Sequence, residues 1–276
     1  MMENKRPRVS VVMPTHNRGA LLSRAIESVR VQSFIDWELV VTDDASTDTT
    51  WQVLTEWAAK DARIKPMRNV TNQYPDISKI LNDGLARAQG EYIARLDDDD
   101  YWIDSKKLAK QVAYLDAHPN CVIVGTGVVV VDGENKERYR YLKKESDVDI
   151  RASALAANPF THSSVMYRKS AALAVGGYGN RYIEDWVLWL RVGVYGGMHN
   201  IPEYSIAYLM AENNKTWLFQ RAQYWEIMKL VWRFRGRYPR FLRGLGINCA
   251  AYVYTFLPLG IRRVLQGSMS RLKRTA

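Results

Sequence analysis

A short apolar run, Tyr92 to Leu96, ends in four consecutive acids, Asp97 to Asp100. Nothing else in the chain constrains the fold as strongly. Apolar runs of this length read as buried strands. Neighbouring carboxylates repel one another, so the strand must stop where a cleft or a cation relieves the charge. Hard oxygen ligands suit Mg²⁺ and Mn²⁺. If the run stays extended, side-chain alternation sets Asp97 and Asp99 on one side, an Asp-x-Asp pair aimed at a common point. Taken alone, the four acids also describe a solvated turn.

The preceding ninety residues set that strand in a context. Residues 9–13 read Val-Ser-Val-Val-Met, a buried-strand pattern that breaks at Pro14-Thr-His-Asn-Arg18. Leu21, Leu22, Ala25, Ile26 and Val29 then recur at helical spacing. A second strand over 38–42 runs into Asp43-Asp44-Ala-Ser-Thr-Asp48, and a helix is predicted over 49–59. A third strand is predicted over 64–67 and a further helix over 77–88, stopping at Gly90. Strands alternating with helices predict an α/β fold: one Rossmann-like, mostly parallel sheet flanked by helices. In such sheets ligands bind beyond the C-terminal ends of the strands. Residues 14–18, 43–48 and 97–100 are therefore expected to converge on one cleft.

The motifs, in order, resemble family 2 of the inverting nucleotide-sugar glycosyltransferases, which have the glycosyltransferase A fold. The resemblance covers residues 8 to about 210. It rests on Val9-Ser-Val-Val-Met-Pro-Thr-His-Asn17, Gln32-Ser-Phe34 and Trp37-Glu-Leu-Val-Val-Thr-Asp-Asp-Ala-Ser-Thr-Asp48. Leu81-Asn-Asp-Gly84, Gly90 to Asp100, Asn158-Pro-Phe-Thr-His162 and Glu184-Asp-Trp-Val-Leu-Trp-Leu-Arg191 complete it. Two positions depart from the commonest pattern: His16 stands where the family often has Tyr, and Ala45 where it often has Gly.

The resemblance implies roles residue by residue. Pro14, Thr15, His16 and Asn17 match the loop that wraps base and ribose, with ordinary turn chemistry the alternative for His16 and Asn17. Asp44 matches the carboxylate that reads the nucleobase, with Asp43 beside it. Asp97 and Asp99 match the metal-binding pair for Mn or Mg, and Asp98 faces ribose or sugar. Departure of a nucleoside diphosphate builds negative charge, which a bridging cation stabilises. Inversion needs a base opposite the leaving group; Asp185 is the candidate and Glu184 the second. Acids at a helix start are also favoured by the helix dipole alone. His162 is a possible diphosphate contact, or a structural histidine. Arg95 and Lys79 are further phosphate candidates, with surface charge the alternative for Lys79.

The net charge of +10 is unevenly spread. Residues 217–276 carry twelve Lys and Arg against one acid, leaving 27 bases and 28 acids before them. This predicts a nearly neutral catalytic domain, 1–216, expected to fold on its own sheet and cleft. The basic, aromatic, helical appendage, 217–276, is expected to associate with an anionic membrane surface. Residues 244–261 are apolar and near the minimum length for a span. Asn248, Pro258 and three glycines interrupt them, so an interfacial or re-entrant segment is expected; a soluble helical appendage or oligomer contact is the other reading. Two distant cysteines suggest neither a disulfide framework nor a zinc site. No apolar signal core opens the chain, so a cytoplasmic enzyme at the inner face of the plasma membrane is expected.

The expected partners are a nucleotide-diphosphate sugar, UDP-linked by default, and a lipid-linked glycan acceptor. Nucleic acid is not expected. Two other readings remain at this level. A nucleotidyltransferase that makes the activated sugar would carry a Gly-rich phosphate loop near its N-terminus, whereas the first loop here has one glycine, Gly19. A non-catalytic nucleic-acid-binding protein could use the basic tail, but the three acidic loops would then repel phosphate.

Overall fold

A computed structural model describes residues 6–210, 220–258 and 262 of the chain. Strand and helix alternate as the sequence pattern predicts: β1 (Val9–Thr15), α1 (Gly19–Arg30), β2 (Trp37–Asp43), α2 (Thr50–Lys60), β3 (Ile64–Arg68), α3 (Ile77–Arg87) and β4 (Tyr92–Arg95). There follow β5 (Tyr101–Trp102), α4 (Lys107–Ala117), β6 (Cys121–Val131), β7 (Glu137–Tyr141) and α5 (Asp147–Ser153). Then come β8 (Met166–Arg168), α6 (Lys169–Ala174), α7 (Glu184–Gly193), β9 (Gly197–Leu209), α8 (Gln220–Arg233) and α9 (Phe241–Tyr254).

The strands form one sheet in the order β3-β2-β1-β4-β8-β6-β9-β5, with β7 paired to β6. The first four strands are parallel. Beyond them the directions mix: β8 runs antiparallel to both β4 and β6, and β9 is parallel to β6. Register pairs Thr15 with Asp43 and Val12 with Arg95, so the loops after β1, β2 and β4 leave the sheet side by side.

Alternation along β1 divides the core. Val9, Val11 and Met13 pack with Leu22, Ile26 and Leu54 on the face covered by α1, α2 and α4. Val12 points to the other face, with Leu81, Leu85, Trp186 and Trp189. A buried polar clamp fixes the start of β4. Glu38 accepts from Ser10 Oγ and the Gln89 N–H, both at 2.6 Å, and Ser10 Oγ accepts from the Gly90 N–H at 2.8 Å. A Cβ at position 90 would lie 2.5 Å from the Ser10 nitrogen, so this approach needs glycine. Helix α3 accordingly ends at Arg87, with Ala88 already extended.

The C-terminal helices change the expected independence of residues 1–216. Ile227, Leu230, Val231, Phe234 and Tyr238 belong to the same core cluster as Trp186 and Trp189 of α7, and Tyr238 Oη donates to the Leu190 carbonyl at 2.9 Å. A chain ending near Asn214 would uncover that core. The apparent interruptions in 244–261 also gain a reason. A Cβ on Gly244 would meet Leu155 Cβ at 2.7 Å, and Asn248 Nδ2 donates to the Leu155 carbonyl at 2.9 Å. Gly244 and Asn248 are thus the face by which α9 docks on the catalytic body. No helix among the described residues is long and apolar enough to cross a membrane. Trp217, Ile261 and Arg263 lie outside the described residues.

One buried charge makes the stability pH-dependent. Lys107, fully buried at the start of α4, donates to Gln111 Oε1 at 2.8 Å and lies 4.2 Å from the Trp102 ring centroid. Burial pushes its ammonium down to about 7. Above that pH the folded amine is neutral while the unfolded one keeps its proton up to about 10.4, so stability rises with pH in this window. Wild type is expected to gain about 2–3 kcal/mol from this group between pH 7 and 9. Lys107→Met should be more stable at pH 7 and lack that rise. Urea unfolding at the two pH values measures both; equal slopes for the two proteins would refute the assignment.

Candidate active site

The three polar loops meet as expected. One cleft of about 440 Å³ is lined by Pro14, Thr15, His16 and Arg18, by Asp44, by Asp97, Asp98 and Asp99, and by His162 and Glu184. Asn72, Tyr74, Ile77, Ile80 and Tyr208 complete its wall.

The acidic run reaches the cleft by a different geometry from an extended strand. β4 stops at Arg95, and the chain turns, with the Asp100 N–H donating to the Asp97 carbonyl at 3.2 Å. The turn brings Asp98 into the wall together with Asp97 and Asp99. Asp100 points inward instead, accepting from Ser163 Oγ at 2.5 Å and from the Leu209 N–H at 3.0 Å. Burial, then the charges of Asp97 and Asp99, push its carboxyl well up.

Arg95 organises the site from below. It is fully buried, so it is not available to a phosphate. Its guanidinium donates to the Val12 carbonyl, to His162 Nε2 at 2.9 Å and to Asp97 Oδ1 at 2.6 Å. Because Nε2 accepts from Arg95, the neutral ring carries its proton on Nδ1, 3.9 Å from Asp97 Oδ2. Burial, then Arg95, pull His162 down to about 3. His162 is therefore a neutral donor at every working pH. Burial opposes ionisation of Asp97, but the permanent charge of Arg95, with the hydrogen bonds from Arg95 and Ser163 Oγ, holds it below the usual carboxylate range. Arg95→Met would leave the Asp97 charge without this partner. It is expected to cost about 3–5 kcal/mol, the usual loss when one member of a buried ion pair is removed. Urea denaturation reads this directly, and a loss below about 1 kcal/mol would mean that Arg95 does not hold the site.

The remaining acids of the cleft are short of positive charge. Burial, then Asp99, raise Asp98 to about 7, and burial, then Asp97, raise Asp99. Arg18 lies 3.4 Å from Asp99 and 3.7 Å from Asp98. Among the described residues no three His, Cys, Asp or Glu side chains form a ready ligand set. An open site with one or two carboxylates, completed by substrate phosphates, is how Mg²⁺ is usually held. Hard, mutually repelling oxygens on one wall fit such a cation.

The structure puts the other predicted residues in distinct positions. Asp44 accepts from Asn69 Nδ2 at 2.7 Å and from the Gln73 N–H at 2.9 Å, which fixes it on the wall. His16 Nδ1 lies 2.8 Å from the Asp44 carbonyl. Asn17 and Asp43 do not line the cleft. Asn17 accepts from the Thr47 N–H at 2.8 Å and binds Ser46 Oγ through its own N–H. Asp43 is fully buried and meets Arg68 at 3.2 Å. Both tie one loop to the next. Ala45, where a glycine is common, has φ +56°, the left-handed region that favours glycine. Lys79 is exposed on α3 and lines no part of the cleft.

Glu184 and Asp185 open α7 and divide in character. Glu184 faces the cleft, and burial, then Asp185, push it up to about 8. Asp185 accepts from the Trp186 N–H at 2.6 Å and from Asn158 Nδ2 at 2.7 Å. Burial raises it also, against those two donors. Adjacent carboxyls, one lining the cleft and the other held by two donors, suit one proton holder and one proton acceptor.

Arg18, Asn72, Tyr74 and Tyr208 escaped the sequence reading as site residues. Arg18 closes the first-loop motif and was within reach of it. Asn72 and Tyr74 lie in an aperiodic loop, and Tyr208 comes from β9, which has no local signal pointing to the cleft.

Residues 10–176 match the profile of glycosyl transferase family 2. EpsE of Bacillus subtilis (strain 168) is 39% identical over 193 residues, covering 68% of this chain and 67% of EpsE. The amylovoran biosynthesis glycosyltransferase AmsE of Erwinia amylovora is 32% identical over 186 residues, covering 66% and 68%. Among solved structures, a 1–349 form of S. aureus TarS in complex with UDP-GlcNAc superposes with a TM-score of 0.69 at 20% identity, covering 90% of this chain and 72% of that one. The mannosyltransferase PcManGT from Pyrobaculum calidifontis, in complex with GDP-Man and Mn²⁺, gives 0.65 at 18% identity, covering 97% and 81%. At these identities the structural likeness speaks for the fold.

Proposed function

The chain belongs to glycosyl transferase family 2 and is a glycosyltransferase, and from that premise we propose its chemistry. It moves a sugar, with inversion, from a nucleotide-diphosphate sugar to a hydroxyl of a lipid-linked glycan, as in cell-surface polysaccharide, O-antigen or capsule synthesis. The carrying observation is the convergence of three strand-end loops on one cleft that Glu184 also lines. Membership of the family removes the nucleotidyltransferase and non-catalytic readings. UDP-GlcNAc in TarS supports a UDP-linked donor, and Mn²⁺ in PcManGT supports a divalent cation.

In this reading Pro14, Thr15, His16 and Asp44 hold the nucleoside, with Asn17 and Asp43 bracing their loops. Asp98 faces ribose or sugar, and His162 offers its Nδ1 proton to the diphosphate. Asp97 and Asp99 would hold Mn²⁺ or Mg²⁺, which neutralises the charge of a departing diphosphate. Asp185 accepts the acceptor hydroxyl's proton. The new C–O bond forms at the anomeric carbon as the bond to phosphate breaks on the opposite face. Asn158 keeps the base oriented, and Glu184 keeps its own proton at neutral pH. A panel of nucleotide sugars, assayed for nucleoside-diphosphate release with Mn²⁺, Mg²⁺ or chelator, tests the donor half. No release from any donor with either metal would sink it.

The C-terminal segment from residue 217 is the proposed membrane-associating unit, peripheral on an anionic leaflet. Along α8, Arg221, Trp225, Lys229 and Trp232 are exposed at helical spacing, a stripe of alternating cations and amphipathic rings suited to a headgroup layer. Leu242 and Val253 of α9 are further exposed apolar side chains.

A further inference from the structure

We infer that Arg191, Arg233 and Arg237 form a phosphate-binding site where α7 meets α8, separate from the donor cleft. The three guanidinium groups line one concavity of about 430 Å³, floored by Val175, Val194 and Phe234. It shares no lining residue with the donor cleft.

The charge pattern asks for an anion. None of the three arginines has a carboxylate partner among the described residues. Arg191 makes one long bond, from Nη1 to the Gly177 carbonyl at 3.4 Å, which leaves most of its five N–H groups unused. Burial, then Arg233, disfavour its charged form. Glu226, the one acid of α8, is occupied by Asn180 at 3.0 Å and Lys229 at 2.8 Å. Three like charges brought together without a counter-ion repel, and an anion in the concavity would reverse that term. Guanidinium forks match phosphate oxygens in geometry as well as charge.

The position gives the site a use. Arg191 lies seven residues along α7 from Glu184, roughly 10 Å at helical rise. Arg233 follows the exposed Trp232, so the concavity opens beside the stripe proposed to meet lipid. A phosphate held there lies beside that stripe. That phosphate is either part of a lipid headgroup or free in solution. The site itself does not depend on the donor chemistry.

The test uses the full chain, with Arg191, Arg233 and Arg237 all changed to Gln. Inorganic pyrophosphate binding is measured by calorimetry in chelator, which removes metal-dependent binding in the donor cleft. Flotation is measured with phosphatidylglycerol-containing vesicles and with phosphatidylcholine alone. The expected result is at least about a 10-fold loss of pyrophosphate affinity, the scale of lost hydrogen bonds to charged groups. Mn²⁺-dependent UDP binding should be unchanged, which also certifies the fold. The corresponding triple Lys variant should recover part of the affinity. Loss of pyrophosphate binding with unchanged flotation assigns the site to soluble phosphate. Loss of phosphatidylglycerol flotation together with the pyrophosphate change assigns it to lipid, whereas flotation lost with pyrophosphate binding unchanged overturns the site, because three lost charges weaken attraction to an anionic surface by themselves. Wild-type values in both arms overturn the inference, as does a single Arg237→Gln variant with full binding if the triple variant fails to fold.

Discussion

Asp185→Asn is expected to leave donor binding within about a few-fold of wild type and to lower transfer by roughly 10²–10⁴, the usual worth of a general base. The substitution preserves size. It keeps the bond from the Trp186 N–H, while the bond from Asn158 Nδ2 survives only if one of the two amides turns. What it cannot do is take a proton. Glu184→Gln should be milder, because a group pushed up to about 8 already holds its proton at pH 7. Single-turnover transfer at saturating donor separates chemistry from binding. Near-wild-type transfer by the Asn variant would remove Asp185 from the mechanism. A product of retained anomeric configuration would remove single displacement altogether.

Asp99→Ala carries the second large effect. Asp99 is one of the two carboxylates proposed to hold the cation, and it stands on the wall with Arg18 3.4 Å from its carboxylate and Arg24 donating to its backbone carbonyl at 3.2 Å. Its removal should reduce transfer by at least ~10², since cation stabilisation of a leaving phosphate is worth several kcal/mol. It should also abolish the tightening of UDP binding by Mn²⁺. Asp98→Ala should keep the Mn²⁺ response while weakening donor affinity, because its proposed partner is ribose or sugar. UDP titration with Mn²⁺ and with chelator distinguishes the two. Unaltered activity of Asp99→Ala in chelator would exclude a cation held by this pair.

Much of this site was legible before the structure. Apolar runs ending in Pro14, Asp43 and Asp97 predict parallel strands whose loops share one end, and register bears this out through Thr15 opposite Asp43. Other features misled for identifiable reasons. Alternation predicts Asp97 and Asp99 on one side of a strand, but the strand ends at Arg95 and a turn takes over. Four repelling acids are poor strand formers, and Ser163 draws Asp100 inward from 63 residues away. Arg95 resembled a free phosphate partner because sequence does not reveal burial; only the adjacent His162 and Asp97 do.

The C-terminal helices mark the same boundary. Charge counting separates residues 217–276 from the rest, and their excess of bases is a property of composition alone. Packing is not. Gly244 and Asn248 read as defects in an apolar helix until Leu155 is set against them, 93 residues distant from Asn248. The sequence by itself determined the alternation of strands and helices, the acid-ended strand and the uneven charge, because periodicity and composition are local. Tertiary packing determined the rest: that Tyr208 of β9 reaches the donor cleft, that α8 completes the core under α7, and that three arginines from two helices and a turn line one concavity. Each depends on contacts between residues far apart in the chain, whose pairing has no local pattern to announce it.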